Sequence, residues 1–346
     1  MDTFQMQLVE SDKRTSGLVI GDYVPDLHNY SRPIPIIFWL DFLLSLLTGN
    51  GFLYFAVKNT SFSPEQVLCI FISAVFLFRA GVFMHEAVHA AKQIPLFDLG
   101  YNFLHGFVHK LPLYIFGAHK HHHAAETYGT MNDPEYELLK GSPLHYVTPI
   151  FSQTVMPLLL LIRFGIVPAL LPFIGEKGRN VIYQYASTFA LNLRFKRSLP
   201  NEKERIEWYW QDAGCFFYNT IFFALMISGV WSWKVFFIWY AIFYLTFLFN
   251  FYRVMTSHTY STNFNQTNRK LQILDSVTVT GSWILGLVFY PVGMRYHALH
   301  HLFPHIPYHN LARLHRSILT TIPAGHPYRE TLVLNYFDAL RRLPKA

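Results

Sequence analysis

An apolar run over about residues 36–57, preceded by Pro33 and Pro35, most restricts what this chain can become. At 1.5 Å per residue it is long enough to cross a hydrocarbon core of roughly 30 Å. The polar turn from Lys58 to Pro64 returns the chain, and residues 66–84 form a second span with Arg79 near its end, where a snorkelling role is expected. A second hairpin is predicted at 214–231 and 234–252, turning at Trp231, Ser232 and Trp233. Charged residues make up only 14% of the chain, against roughly 25% in soluble domains. The expected architecture is an all-α integral membrane protein over residues 1–346. It has four transmembrane helices in two hairpins, interfacial helices and a cytosolic helical cap.

Charge sets the expected orientation. The two candidate outer loops carry one basic residue each, Lys58 and Lys234, whereas segments 85–213 and 253–346 carry 12 and 10 Lys or Arg. The positive-inside rule places both segments, with the N-terminal 1–34, in the cytoplasm. From residue 253 onward, ten basic and three acidic residues account for the whole net charge of +7. No nucleic-acid motif accompanies that tail, so no nucleic-acid partner is expected. Stretches 96–118 and 145–175 are also apolar. The second is broken by Pro149, Pro157, Pro168 and Pro172 and carries Arg163, and both are expected to be interfacial or re-entrant. Residues 176–213 are expected to be a cytosolic helical segment. Cys69 and Cys215 lie in apolar runs and suit packing, not a disulfide or an iron–sulfur cluster. The mixed, polar N-terminus argues against a cleaved signal peptide.

Ten of the 18 histidines fall into three clusters: His85-Glu-Ala-Val-His89, His119-Lys-His121-His122-His123, and His297-Ala-Leu-His300-His301 with His305 close behind. Neutral imidazole is the commonest nitrogen ligand for redox-active iron. His85 and His89 are four residues apart, so their rings share a helix face. That spacing also occurs in His-Glu-x-x-His zinc proteases, but a protease predicts no pair of His-x-x-His-His runs, and this chain has two. In each run the first and second histidines stand one turn apart and the third is rotated by about 100°. One element can then serve two metals. Eight candidate ligands exceed what one ion takes and suit two.

With these three boxes the chain resembles the membrane fatty acid desaturases, a superfamily with three histidine boxes and a non-haem di-iron centre. The third box continues as His300-His301-Leu-Phe-Pro-His-Ile-Pro-Tyr-His-Asn-Leu, similar to acyl-lipid and bacterial members, and Asn132-Asp133-Pro134 follows the second box as it often does there. The resemblance covers roughly residues 36–330. It implies a ninth ligand, His258, just after the fourth span. It also implies two iron ions, O2 as co-substrate, a fatty acyl substrate within membrane lipid, and a bacterial inner-membrane protein with its boxes on the cytoplasmic face. Acyl-CoA desaturases carry an Asn four residues before that ninth histidine, where this chain has Val254, which disfavours the acyl-CoA subtype.

The expected ligand and catalytic set is thus His85, His89, His119, His122, His123, His258, His297, His300 and His301. His121, Asp275, His305 and Asp133 are candidates for positions behind the ligands, bonded to their outer ring nitrogens. A helix cap accounts equally well for Asp275. Glu86 and Glu126 suit either ligand support or a solvated charge. His309 and His315 are expected to be structural, His105 and His109 satisfied polar groups, and His28, His145 and His326 surface residues. The sequence has no fused cytochrome b5 module, ferredoxin cysteine set or nucleotide fingerprint, so an external ferredoxin, or cytochrome b5 with a reductase, is expected to supply electrons. Desaturation of an acyl chain is the first expectation. Decarboxylation of a free fatty acid to a terminal alkene is the second, with hydroxylation or ketolation on the same scaffold. A non-catalytic metal-binding protein or transporter is the alternative of a different class, although transporters tend to hold ligands near the bilayer midplane.

Overall fold

Pro35 opens helix α1 (Pro35–Lys58) in its first turn, where a missing backbone N–H leaves no helical bond unmade. The structure, a computed structural model, describes residues 24, 26–90, 93–136, 144–189, 191–192, 194–260 and 269–344, so most of the expected 1–34 segment lies outside the described residues. Helix α2 (Pro64–Ala90) runs back against α1. Phe38, Phe42 and Leu46 of α1 are buried with Leu77 and Phe83 of α2. Gly49 allows the close approach, since a Cβ there would lie 2.7 Å from the Leu77 side chain. Arg79 does not snorkel. Its Nε and Nη2 donate to the Asp41 carboxylate at 3.0 and 2.6 Å, and Tyr308 Oη donates to the same carboxylate at 2.9 Å. The facing helix supplies an acceptor inside the protein, so the guanidinium need not reach for the interface.

After α2 the chain runs through helical turns from Phe97 to His109, including a π turn at Asn102–Gly106, and reverses at Lys110 in the left-handed region. The Asn102 side chain accepts from the Leu113 N–H at 2.9 Å and fixes the return. The short helix α3 (His119–His123) follows, back beside the end of α2. Stretch 96–118 therefore begins and ends on one side.

Residues 144–170 fall within the stretch expected to be interfacial or re-entrant. They form successive helices Leu144–Ser152, α4 (Met156–Gly165) and Val167–Leu170, with a 3-10 turn at Gln153–Val155. Pro157 and Pro168 occupy the first turns of new helices, whereas Pro149 lies inside Leu144–Ser152. By length and composition, four helical stretches suffice to cross a membrane: Leu27–Lys58, Pro64–Ala90, Val147–Leu170 and Lys234–Met255. The expected span 214–231 is not among them. It is the second half of one continuous helix, α5 (Glu202–Ile227), opened by a reciprocal capping box between Asn201 and Glu204. Asp212 and Asn219 interrupt its apolar surface because they serve α4, and Gln211 accepts from the Tyr114 N–H at 3.1 Å. Arg163 lies 3.3 Å from Asp212, the Tyr114 and Tyr183 hydroxyls donate to Asp212 at 2.7 and 3.1 Å, and the Asn219 amide donates to the Gly165 carbonyl at 3.2 Å.

Helix α6 (Lys234–Met255) packs on α2, with Thr246 Oγ1 donating to the Ala74 carbonyl at 3.4 Å. Lys234 Nζ donates to the Asn59 carbonyl, which joins the two outer turns at one end of the bundle. At the other end lies a cap of α7 (Arg269–Asp275), α8 (His297–Leu302) and α9 (Tyr308–Thr321). Two-residue strands β1 (Thr278–Val279) and β2 (Leu332–Val333) pair in parallel within it. Isolated bridges join His258 to Ser276 and Thr278 to Tyr296, so the same short backbone ladder sets the position of His258 and the entry to α8.

Replacing Asp41 by Ala removes the acceptor of both Arg79 and Tyr308. The variant should unfold in detergent with a loss of about 2 kcal/mol, and a D41A/R79A double variant should recover part of it. Equal stability of wild type and D41A in a thermal melt would refute this role.

Candidate metal centre

The C-terminal end of α2 presents His85 and His89 one turn apart, with ring centroids separated by 5.0 Å. Together with α3, α8 and His258 they make two groups: His85, His89, His119, His123 and His300 in one, and His122, His258, His297 and His301 in the other. Within each group, one ring nitrogen from every member lies within 4.8 Å of the others. All nine sequence-selected histidines are in these groups. The partition differs from the expected one. The first and third histidines of each run stay together, and the middle one crosses to the other group. An i, i+4 pair is rotated by about 40° and an i, i+3 pair by about 60° the other way, so the first and third rings are the better aligned. Helices α3 and α8 thereby each serve both groups, and the groups adjoin, with the His123 and His301 rings 4.4 Å apart.

Nitrogen–nitrogen spacing tests whether the residues fit metal ions. Nε2 of His119 and His123 are 2.8 Å apart, and those of His123 and His300 3.2 Å. In the other group the Nε2 atoms of His122 and His258, His258 and His297, and His297 and His301 are 3.1, 2.8 and 3.1 Å apart. Adjacent imidazoles bound at right angles to an ion about 2.1 Å away would be separated by about 3.0 Å. Hydrogen bonding does not account for the convergence, because a neutral imidazole has one donor, and in His119, His122, His258 and His301 the outer nitrogen is already engaged. Nε2 of His85 and of His89 are buried with no hydrogen-bond partner among the described residues. A cation at each convergence point satisfies these atoms, and the donor set suits iron.

Carboxylates and a phenol fix the outer nitrogens. His119 Nδ1 bonds Glu135, and His122 Nδ1 lies 3.0 Å from Asp133, whose carboxylate also accepts from the Gly129 and Glu135 N–H groups at 2.9 Å each. Tyr128 lies between His258 Nδ1, at 2.9 Å, and the Asp275 carboxylate, to which it donates at 2.6 Å. The Gln272 amide lies 3.0 Å from His301 Nδ1. Each partner holds a ring so that Nε2 faces the group centre. Burial alone would raise the Glu135 carboxyl, but the attraction and hydrogen bond of His119 outweigh it and bring it down to about 2. Burial also lowers His122, yet Asp133 more than offsets this and leaves it raised. Burial, then repulsion from neighbouring rings, pushes His123, His258, His297, His300 and His301 well below the usual 6.5, so they are neutral and competent as ligands at pH 7.

Of the expected supporting residues, Asp133 bonds a ligand directly and Asp275 acts through Tyr128. Asp275 is the last residue of α7, which sets aside a helix N-cap. His121 is exposed and outside both groups, so it supports no ligand. His305 is half-buried against Phe303 and makes no bond to a ligand histidine among the described residues. Glu86 lies 3.5 Å from His85 Nδ1 and accepts from the Tyr308 N–H at 3.0 Å, whereas Glu126 is exposed. Among the described residues, His105 is buried with neither ring nitrogen bonded, which departs from the satisfied polar group expected, and His109 is bonded at Nδ1 alone, by Trp239. His315 bonds the Tyr328 hydroxyl at 2.8 Å and His309 packs on Phe38, both structural placements. His326 is buried and caps the Tyr328 N–H, not exposed as expected; His28 is exposed, and the His145 side chain lies outside the described residues. Glu135, Tyr128 and Gln272 escaped the sequence reading. Only Glu135, two residues beyond Asp133, had a local signal.

A narrow cavity of about 50 Å³ opens beside the first group. His85, Phe78, Val82, Phe116, Phe247 and Met294 line it, with Thr246, Asn250 and Arg253 as the polar residues of α6.

Comparison with known proteins gives two findings. The fatty acid desaturase family pattern matches residues 64–332. A curated relative, the ceramide hydroxylase of Caulobacter vibrioides (strain NA1000 / CB15N), is 30% identical over 312 residues, covering 89% of this chain and 88% of the relative. No solved structure matches.

Glu135→Gln and Asp133→Asn should each lower iron affinity by about 10- to 100-fold while leaving the fold intact, read as iron retained after dialysis against a graded chelator. Unchanged retention would remove their role. The iron-free protein should also lose thermal stability as pH falls below 6.5. There the unfolded chain binds protons that the five lowered histidines refuse, so stability rises with pH through this window. A flat melting temperature between pH 7.5 and 5.5 is the contrary result.

Proposed function

The chain belongs to the fatty acid desaturase family, and from that membership and the paired histidine groups we propose a membrane di-iron oxidoreductase that uses O2 to oxidise the acyl chain of a lipid. Family members act on lipid substrates in membranes, and the family is a non-haem di-iron one. The observation that carries the reading is the convergence of nine imidazoles into two adjoining groups beside an apolar cavity. When bound, two irons would supply the oxidant, made from O2 and two electrons, that removes hydrogen from an unactivated carbon. The protein contributes placement. Glu135, Asp133 and Tyr128 hold ring orientation, and Phe78, Val82, Phe116 and Phe247 exclude water and fix which carbon approaches His85.

Likeness to a ceramide hydroxylase over nearly its whole length favours hydroxylation. The second reading is desaturation, favoured by the family pattern, in which a second hydrogen leaves the adjacent carbon. Decarboxylation to an alkene and ketolation share the scaffold only. A transporter fits less well, because His85 and His89 stand at the inner end of α2 and His258 lies beyond α6, away from the midplane. The basic residues of 85–213 and 253–346 favour a cytoplasmic histidine face, and the bacterial relative favours an inner membrane. Exposed Lys120, among the α3 ligands, belongs to a basic face suited to an acidic donor such as ferredoxin or cytochrome b5.

Expression in a host of known lipid profile with an electron donor, followed by mass spectrometry of lipids and volatile hydrocarbons, tests the reading. Gain of one oxygen marks hydroxylation, loss of two hydrogens desaturation, and an alkene with carbon dioxide decarboxylation. His301→Ala is expected to abolish the product. Full turnover by that variant would refute the catalytic assignment.

A further inference from the structure

Arg253 ends the polar stripe Thr246, Asn250, Arg253 on the face of α6 that lines the cavity. It is 6% exposed and incompletely partnered. Its Nε and Nη2 donate to Asn250 Oδ1 at 3.3 and 3.0 Å, and Nη1 points to the Met294 sulfur at 3.4 Å, a weak acceptor. Glu135 attracts it electrostatically but is committed to His119, and no carboxylate among the described residues forms an ion pair with it. A buried guanidinium has five donors and a high cost if left without strong acceptors. Here an amide oxygen and a thioether are its side-chain acceptors among the described residues, and the head borders a largely apolar cavity.

Helices α2 and α6 run in the same direction, registered by the Thr246–Ala74 bond. Counted from there, Arg253 lies about 10 Å and His85 about 16 Å further toward the histidine end. Phe78 and Thr246 lie at the other end. A chain whose polar end rests on Arg253 therefore presents its first carbons to the histidine group and leaves its tail to the apolar end.

We propose that Arg253, oriented by Asn250, binds the acyl carbonyl oxygen of the substrate, as a carboxylate or an amide, so that oxidation falls within the first few carbons from the carbonyl. This rests on the reading that the cavity holds the lipid to be oxidised. Arg253 is a substrate-binding residue in that scheme and Asn250 a positioning residue. A guanidinium fork suits either acceptor, bidentate for a carboxylate and single for an amide.

The test is ligand-dependent thermal stabilisation of the full-length protein in micelles. Its probes are hexadecanoate, an N-hexadecanoyl amino alcohol and hexadecane. The carbonyl-bearing probes should bind at least about tenfold more tightly than hexadecane. Arg253→Met should erase that preference with iron content unchanged, and Arg253→Lys should restore part of it. Should Arg253→Met fail to fold, Asn250→Asp gives the guanidinium an internal carboxylate and should erase the preference in a folded protein. Stabilisation by hexadecanoate alone assigns a free acid, and by the amide alone an amide lipid. Equal binding of hexadecane, or an unaltered preference in the folded variants, overturns the proposal. So does a product oxidised in mid-chain, whereas absence of any oxidation with the binding preference intact refutes only the oxidoreductase reading.

Discussion

Convergence of buried, neutral imidazole nitrogens is the constraint on which the rest of this protein depends. Rings from α2, α3, α8 and the segment after α6 are brought so close that several Nε2 pairs lie at about the spacing of ligands around one ion, and two of the nitrogens have no partner in the described protein. Such an arrangement is unfavourable without a cation, because buried polar atoms need partners and converging lone pairs repel. Glu135, Asp133 and Tyr128 hold His119, His122 and His258 from behind.

The spans and the cap are bound into one unit by polar contacts within apolar surroundings. Asp41 accepts from both Arg79 and Tyr308, which links the first hairpin to the helix following the third histidine box. Glu86, next to His85, accepts from the backbone of Tyr308. Two contacts from α9 thus reach α1 and α2, and the third box is held against the first by bonds that bypass the histidines.

Much of this was legible because it depends on local pattern. Runs 36–57, 66–84 and 234–252 are apolar enough to identify alone, and the histidine spacings announce shared faces. What stayed hidden depends on contacts between distant segments. Hydropathy cannot register that Arg163 and Asp212 pair across two helices, so neither the length of the helical run at 147–170 nor the continuity of α5 back to Glu202 was legible. Arg79 was misread for the same reason, its acceptor lying 38 residues away. His258 has no cluster around it and was found only through family likeness. Gln272 and Tyr128 carry no spacing signal, since their role exists only once α7 and the loop after α3 meet the ligands.

Because the five-residue helix α3 sends His119 and His123 to one group and His122 to the other, and α8 does the mirror image with His300, neither position can be filled without organising the second. The first ion to arrive bears the entropy of ordering both helices, and its successor meets a prepared cage. On the di-iron reading, uptake would therefore be cooperative, with partly loaded molecules scarce between the empty and full states.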